Sequence, residues 1–292
     1  MEAKELQKIY SAHPGVDALV NLRDESGKKS VLIDGLTGSS TALVISGLKK
    51  RLPGQTFMII MNDVEEAGYM YHDIVQVCGE ENTLFFPSSF RRAMKYGHED
   101  DANRILRTEV MSRLTARRRG EGLTIVTHPD ALAEKVASQS ELEKNTITIS
   151  VGDRIGREDI EQKLGTLGFK ENTYVYEPGE FAVRGSLIDI YSYSSELPYR
   201  IDFFGKEVES IRTFEVETQL SKQRIDEAII VPKISGSNSV AITHFLPKNS
   251  IIVTKDIEFV KAASKNCATK DSPCKHAYHK RSSPRCPTLY RL

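Results

Sequence analysis

A nucleotide-binding loop of the Walker type needs a strand, a Gly-rich turn and a helix. Its spacing is G-x-x-x-x-G-K-[ST], with Lys on the β- and γ-phosphates and the hydroxyl on magnesium. The stretch DGLTGSSTA, Asp34 to Ala42, has that setting between the apolar VLI and the amphipathic LVISGLKKRL. Counted from Gly35, however, Ser40 stands at the second Gly position, Thr41 at the Lys and Ala42 at the hydroxyl. Gly35, Thr37 and Gly38 still suit a tight turn at a helix N-terminus, whose free N–H groups attract anions. Without the Lys and the hydroxyl, phosphoryl transfer lacks its charge stabilisation and its metal. Two readings stay open: a nucleotide site that has lost its chemistry, or a plain strand-to-helix turn. The companion element would be an apolar strand ending in an acid. FMIIMND, Phe57 to Asp63, has that form, but Asp63 is as well placed to cap the next helix.

Two further groups of residues invite contact chemistry. Arg91 to Arg119 holds nine Lys and Arg against four acids and ends in ARRRG, so Arg117, Arg118 and Arg119 are candidates for phosphate contact. The alternative is a solvated helix face with ordinary ion pairs. In PYRIDFF, period-two alternation places Tyr199, Ile201 and Phe203 on a core face and Arg200, Asp202 and Phe204 on the opposite one. The same rule in GEFAVRG turns Phe181 and Val183 inward and Glu180, Ala182 and Arg184 outward. Exposed Arg and aromatic residues are the types that anchor protein interfaces. No G-x-S-x-G, H-E-x-x-H or paired C-x-x-C occurs, and the cysteines (Cys78, Cys267, Cys274, Cys286) lack zinc-site spacing. No catalytic residue, metal or cofactor is expected.

The elements that position these residues fall into two kinds. Up to residue 146, apolar strands (SVLI, TFMIIM, NTLFF, LTIVT) alternate with helical patterns, which implies a parallel sheet with crossover helices. From 147 to 232 most segments alternate with period two and are divided by Gly, Pro and Ser. The fold class is therefore α/β: a P-loop-NTPase-like parallel-sheet domain (1–146) carrying an inserted α+β, mostly antiparallel domain (147–232). Residues 233–264 return to the first pattern and stop short. The segment from 265 to 292 has seven basic residues, one acid and three prolines, and reads as a disordered or non-native tail. Forty basic residues balance forty acids, so net charge makes no case for nucleic acid; the 147–232 block itself has sixteen acids against ten bases. With no apolar run of membrane length and no signal-peptide core at the N-terminus, a cytoplasmic monomer without membrane contact is the expectation.

The run EPGEFAVRG…DIY…ELPYRIDFFG.EVESIR.F closely resembles the N-terminal part of the bacterial transcription-repair coupling factor (Mfd) family, and more distantly the excision-repair protein UvrB. DGLTGSSTALV, FFPSSFRRAMKYG, ANRILRTEVMSRL and LTIVTHPDALAEKV share in it, so it covers roughly residues 1–260. The resemblance implies a UvrB-like module: domain 1a with a degenerate P-loop not expected to bind ATP, an inserted UvrA-binding domain 2, and the start of domain 1b. It also implies that Arg184, Arg200 and Phe204 contact UvrA, the damage-recognition ATPase of nucleotide excision repair. RNA polymerase and DNA would be partners of further domains of the full-length factor. The alternatives are a UvrB-like ATP-dependent DNA-binding protein, or a DNA-contacting module acting through 91–119. Against the first stand the missing Lys and the short FFPSSFRRAMKYGHEDDANR where UvrB has a Tyr-rich hairpin. UvrB carries a second Arg in FRVRG where this chain has Ala182.

Overall fold

The computed structural model describes residues 3–24, 30–89, 101–117, 120–233, 239–268 and 290–291. It divides into two compact units, one of residues 1–99, 116–135 and 241–292, the other of 100–115 and 136–240.

The first unit is built on four parallel strands in the order Ile251–Thr254, Phe57–Ile60, Thr124–Thr127, Thr83–Phe86. Phe57–Ile60 and Thr124–Thr127 are buried at every position. That is what continuous apolar strands covered on both faces require, and it explains why they lack alternation in the sequence. Ile45 and Leu48 of the helix Ser40–Arg51, and Ala67 and Ile74 of the helix Val64–Cys78, pack in the core formed with Phe57, Ile59 and Val126. Asp63 caps the second of these helices, its Oδ1 accepting from the Glu66 N–H at 2.9 Å. The acid in FMIIMND is thus used as a cap. SVLI forms only the two-residue strand Leu32–Ile33, at the sheet edge, paired antiparallel with Tyr290–Arg291 and not with a parallel neighbour. Leu32 is 54% exposed, as an edge position allows. At the other end, the helix Ile257–Ala268 continues beyond residue 264. Most of the segment read as a tail, 269–289 and 292, lies outside the described residues.

The second unit carries a six-stranded sheet in the order Ser221–Ile225, Glu207–Phe214, Tyr199–Phe204, Leu187–Ile190, Glu180–Arg184, Lys170–Glu171. All pairings are antiparallel except the last, which is parallel. One face is apolar: Phe181, Ile188, Ile201 and Ile211 pack with Ile160 and Leu164 of the helix Arg157–Thr166. Ile147–Ser150 pairs with Glu227–Ile230 and adds Ile149, Ala228 and Ile230 to the same core. The fold is therefore mixed α/β, as the two sequence patterns require.

Candidate functional site

The outer face of the six-stranded sheet is where the sequence-predicted contact residues meet. Along Tyr199–Phe204 burial alternates as period two demands. Phe203 is 5% exposed and Phe204 80% exposed, one residue apart on the same strand. Phe204 pairs with Glu207 across a tight hairpin, where Gly205 takes φ +64°. Its ring stands on ordered backbone in solvent, which costs hydrophobic free energy unless something covers it.

Further along the same face lies an ion cluster centred on Asp189, of the strand Leu187–Ile190. Its carboxylate is wholly buried, in register between Ala182 and Arg200. Arg200 Nε donates to Asp189 Oδ1 at 2.7 Å and Nη2 to Oδ2 at 2.9 Å, a two-pronged pair of the strong kind. The remaining Nη1 donates to the Gln219 carbonyl at 3.0 Å, and the guanidinium lies 4.3 Å from the Phe214 ring centroid. Gln219 takes φ +57°, so a left-handed turn aims this carbonyl at the arginine. The Arg200 side chain keeps 13% of its surface. Arg184 also donates to Asp189 Oδ2 through Nη2, but it is 34% exposed and stacks on Tyr174 with its guanidinium 5.1 Å from the ring centre.

Parity gives the face of these residues, and the geometry adds two facts about it. Ala182, placed outward by parity, is fully buried, because Val175 from the segment ahead of its strand closes over it together with Phe214 and Tyr191. The outer face therefore carries a small core of its own, and Phe204 is outside it. Secondly, Arg200 is not a free cation: its donors face Asp189 and Gln219, whereas Arg184 and Phe204 present free surface. The sequence reading missed Asp189. The signal was an acid within the apolar SLIDIY, at the parity that puts it on the same face as Arg200.

The Gly-rich loop is a compact turn. Gly35 and Gly38 take φ +85° and +55°, the left-handed region that favours glycine. Gly35 N–H donates to Asp34 Oδ1 and Thr37 N–H to Ser40 Oγ, both at 2.7 Å. Thr41 and Ala42, at the positions of the Walker Lys and hydroxyl, are buried in the helix's packed face. Of the basic run, Arg117 donates to the Glu121 carbonyl at 2.9 Å and to Thr56 Oγ1 at 3.4 Å. Arg118 and Arg119, with residues 90–100, lie outside the described residues. Among the described residues no group of three His, Cys, Asp or Glu could hold a metal, and no helix is long and apolar enough to cross a membrane.

The six-stranded sheet and the ion cluster lie within residues 147–235, which match the UvrB interaction domain. The chain itself is homologous to the transcription-repair-coupling factors. It is 30% identical over 207 residues to that factor of Bacillus subtilis (strain 168), a match covering 70% of this chain and 17% of the relative. With the factor of Escherichia coli (strain K12) it shares 26% over 205 residues, 69% of this chain and 17% of that protein. With that of Staphylococcus haemolyticus (strain JCSC1435) it shares 31% over 211 residues, 72% and 18%. The chain thus spans less than a fifth of the length of these relatives.

Proposed function

We propose that this chain acts in DNA repair as a non-enzymatic docking module of a transcription-repair-coupling factor, and that the outer sheet face binds UvrA. In the full-length factor this contact brings nucleotide excision repair to a stalled transcription complex. The observation that carries the reading is Phe204, 80% exposed in the segment that matches the UvrB interaction domain and on the same face of its strand as Arg200 of the Arg184–Asp189–Arg200 cluster. A solvated aromatic on a rigid strand loses little conformational freedom on binding, and such side chains dominate interface energetics. Asp189 fixes the two guanidinium groups in advance, so the partner does not bear the entropy of ordering them. Phe204 is then the apolar anchor, Arg184 supplies charge-assisted hydrogen bonds to partner carboxylates, and Arg200 positions the face from beneath. The Gly-rich loop serves as a turn and binds no nucleotide, in keeping with its missing Lys and buried Thr41.

The test is retention of the chain on immobilised UvrA. The parent should be held and a Phe204→Glu variant should pass through. Equal retention of both would remove this face from the contact.

A further inference from the structure

The register of the sheet carries the docking face further than the three residues above. Across the strands Tyr199–Phe204, Glu207–Phe214 and Ser221–Ile225, Arg200 stands directly opposite Arg212, and Arg212 directly opposite Arg224. Residues so paired lie on one face of the sheet with their Cβ atoms about 5 Å apart, where like charges destabilise. Four of the six arginines in 147–232 (Arg184, Arg200, Arg212 and Arg224) therefore share the face that bears Phe204, although the block as a whole has sixteen acids against ten bases. Asp189 answers Arg184 and Arg200. The two arginines beyond them are poorly matched. Arg212 reaches Asp202 only at 3.7 Å, its Nε is buried without a hydrogen-bond partner, and Asp202 already accepts from Ser186 Oγ at 2.9 Å. Arg224 is exposed and, among the described residues, has no acid within ion-pair distance.

We propose that Arg212 and Arg224 extend the docking face across the sheet and meet carboxylates of the partner. The surface recognised would be an acidic strip running away from an apolar pocket for Phe204. This rests on the UvrA reading and specifies it. The row is under-neutralised in the free chain and is satisfied only in the complex, so removing a charge from it should ease the fold while weakening the contact. A residue that merely supported the sheet would move both in the same direction.

The experiment measures association with UvrA at several salt concentrations for the parent, Arg224→Glu and Phe204→Ala, with the thermal midpoint of Arg224→Gln alone. Arg224→Glu should slow association about tenfold at low salt and flatten its salt dependence. Arg224→Gln should raise the midpoint by about 1–3 °C. If Phe204→Ala loses binding while Arg224→Glu keeps the parent's rate and salt slope, the arginine row is overturned and the UvrA reading survives. A lowered midpoint for Arg224→Gln overturns it too. If the parent fails to bind UvrA, both fall together.

Discussion

At Asp189 two guanidinium groups share one buried carboxylate, and the consequences differ for the three residues. Removing the central charge leaves two arginines facing each other without an anion, and breaking a buried pair in this way costs about 3–5 kcal/mol. Asp189→Asn, which keeps the shape, should therefore lower the free energy of urea unfolding by about 2–4 kcal/mol. Arg184→Met should cost less, about 1 kcal/mol or below, because a third of that side chain is in water where ion pairs are weak. Arg200→Met should fall between them. Equal losses at all three positions would contradict the assignment of Asp189 as the hub. A second prediction concerns alkali. Burial pushes the phenols of Tyr199 and Tyr191 above their ordinary value of 10.0. The unfolded chain then ionises first, so the stability these neutral phenols confer is complete below pH about 10 and is lost as pH rises beyond it. Urea titrations between pH 9 and 11 should show this fall, and it should be shallower in Tyr199→Phe; an unchanged slope would exclude Tyr199 as a cause. The period-two rule made the face of Arg184, Arg200 and Phe204 legible in the sequence. It could not show Asp189 as their common partner, because parity assigns a side but not which residues on that side reach one another.

Strands and turns make a sharper set of contrasts. Phe203 and Phe204 are neighbours of one type on opposite faces, so their alanine variants should separate cleanly. Phe203→Ala should cost about 3–5 kcal/mol of stability, since it empties a core site. Phe204→Ala should change stability by no more than about 0.5 kcal/mol. Similar costs measured by urea denaturation would mean that the alternation is wrong. Gly122 offers a backbone test in the other unit. A Cβ there would come within 2.4 Å of the Pro53 carbonyl oxygen and 2.5 Å of that of Gln55. Both are backbone atoms that cannot swing aside, so Gly122→Ala should destabilise by about 1–3 kcal/mol or more, readable as a drop in thermal midpoint. In the sequence this glycine simply stands before the strand segment LTIVT; its close approach to the turn at Pro53–Gln55 is a tertiary fact. Asp63 shows how local and long-range readings compete. As an acid after an apolar strand it fits a metal site and a helix cap equally, and the bond from Glu66 N–H shows the cap in use.

For the molecule as a whole, the two sequence patterns correspond to two sheets, because hydrophobic periodicity reports how many faces of a strand are covered. The sequence shows that the Gly-rich turn lacks the Walker Lys and hydroxyl; that Thr41 and Ala42 are buried at those positions is visible only in the packed helix. The chain should give no saturable signal when titrated with ATP and magnesium, and affinity sensitive to Gly38 would restore an enzymatic reading. The central claim is that one sheet face docks UvrA. The structure also changes how that is best probed: replacing Arg200 would strand a buried carboxylate and confuse folding with binding, whereas Phe204 can be altered without disturbing the core. The decisive measurement is calorimetric titration of UvrA with the parent chain and with Phe204→Ala, each variant's urea midpoint being determined alongside. The account predicts binding by the parent and an affinity at least about thirtyfold weaker for Phe204→Ala, the loss of an interface anchor worth about 2 kcal/mol, at an unchanged midpoint. Equal affinity in two equally stable proteins would contradict it.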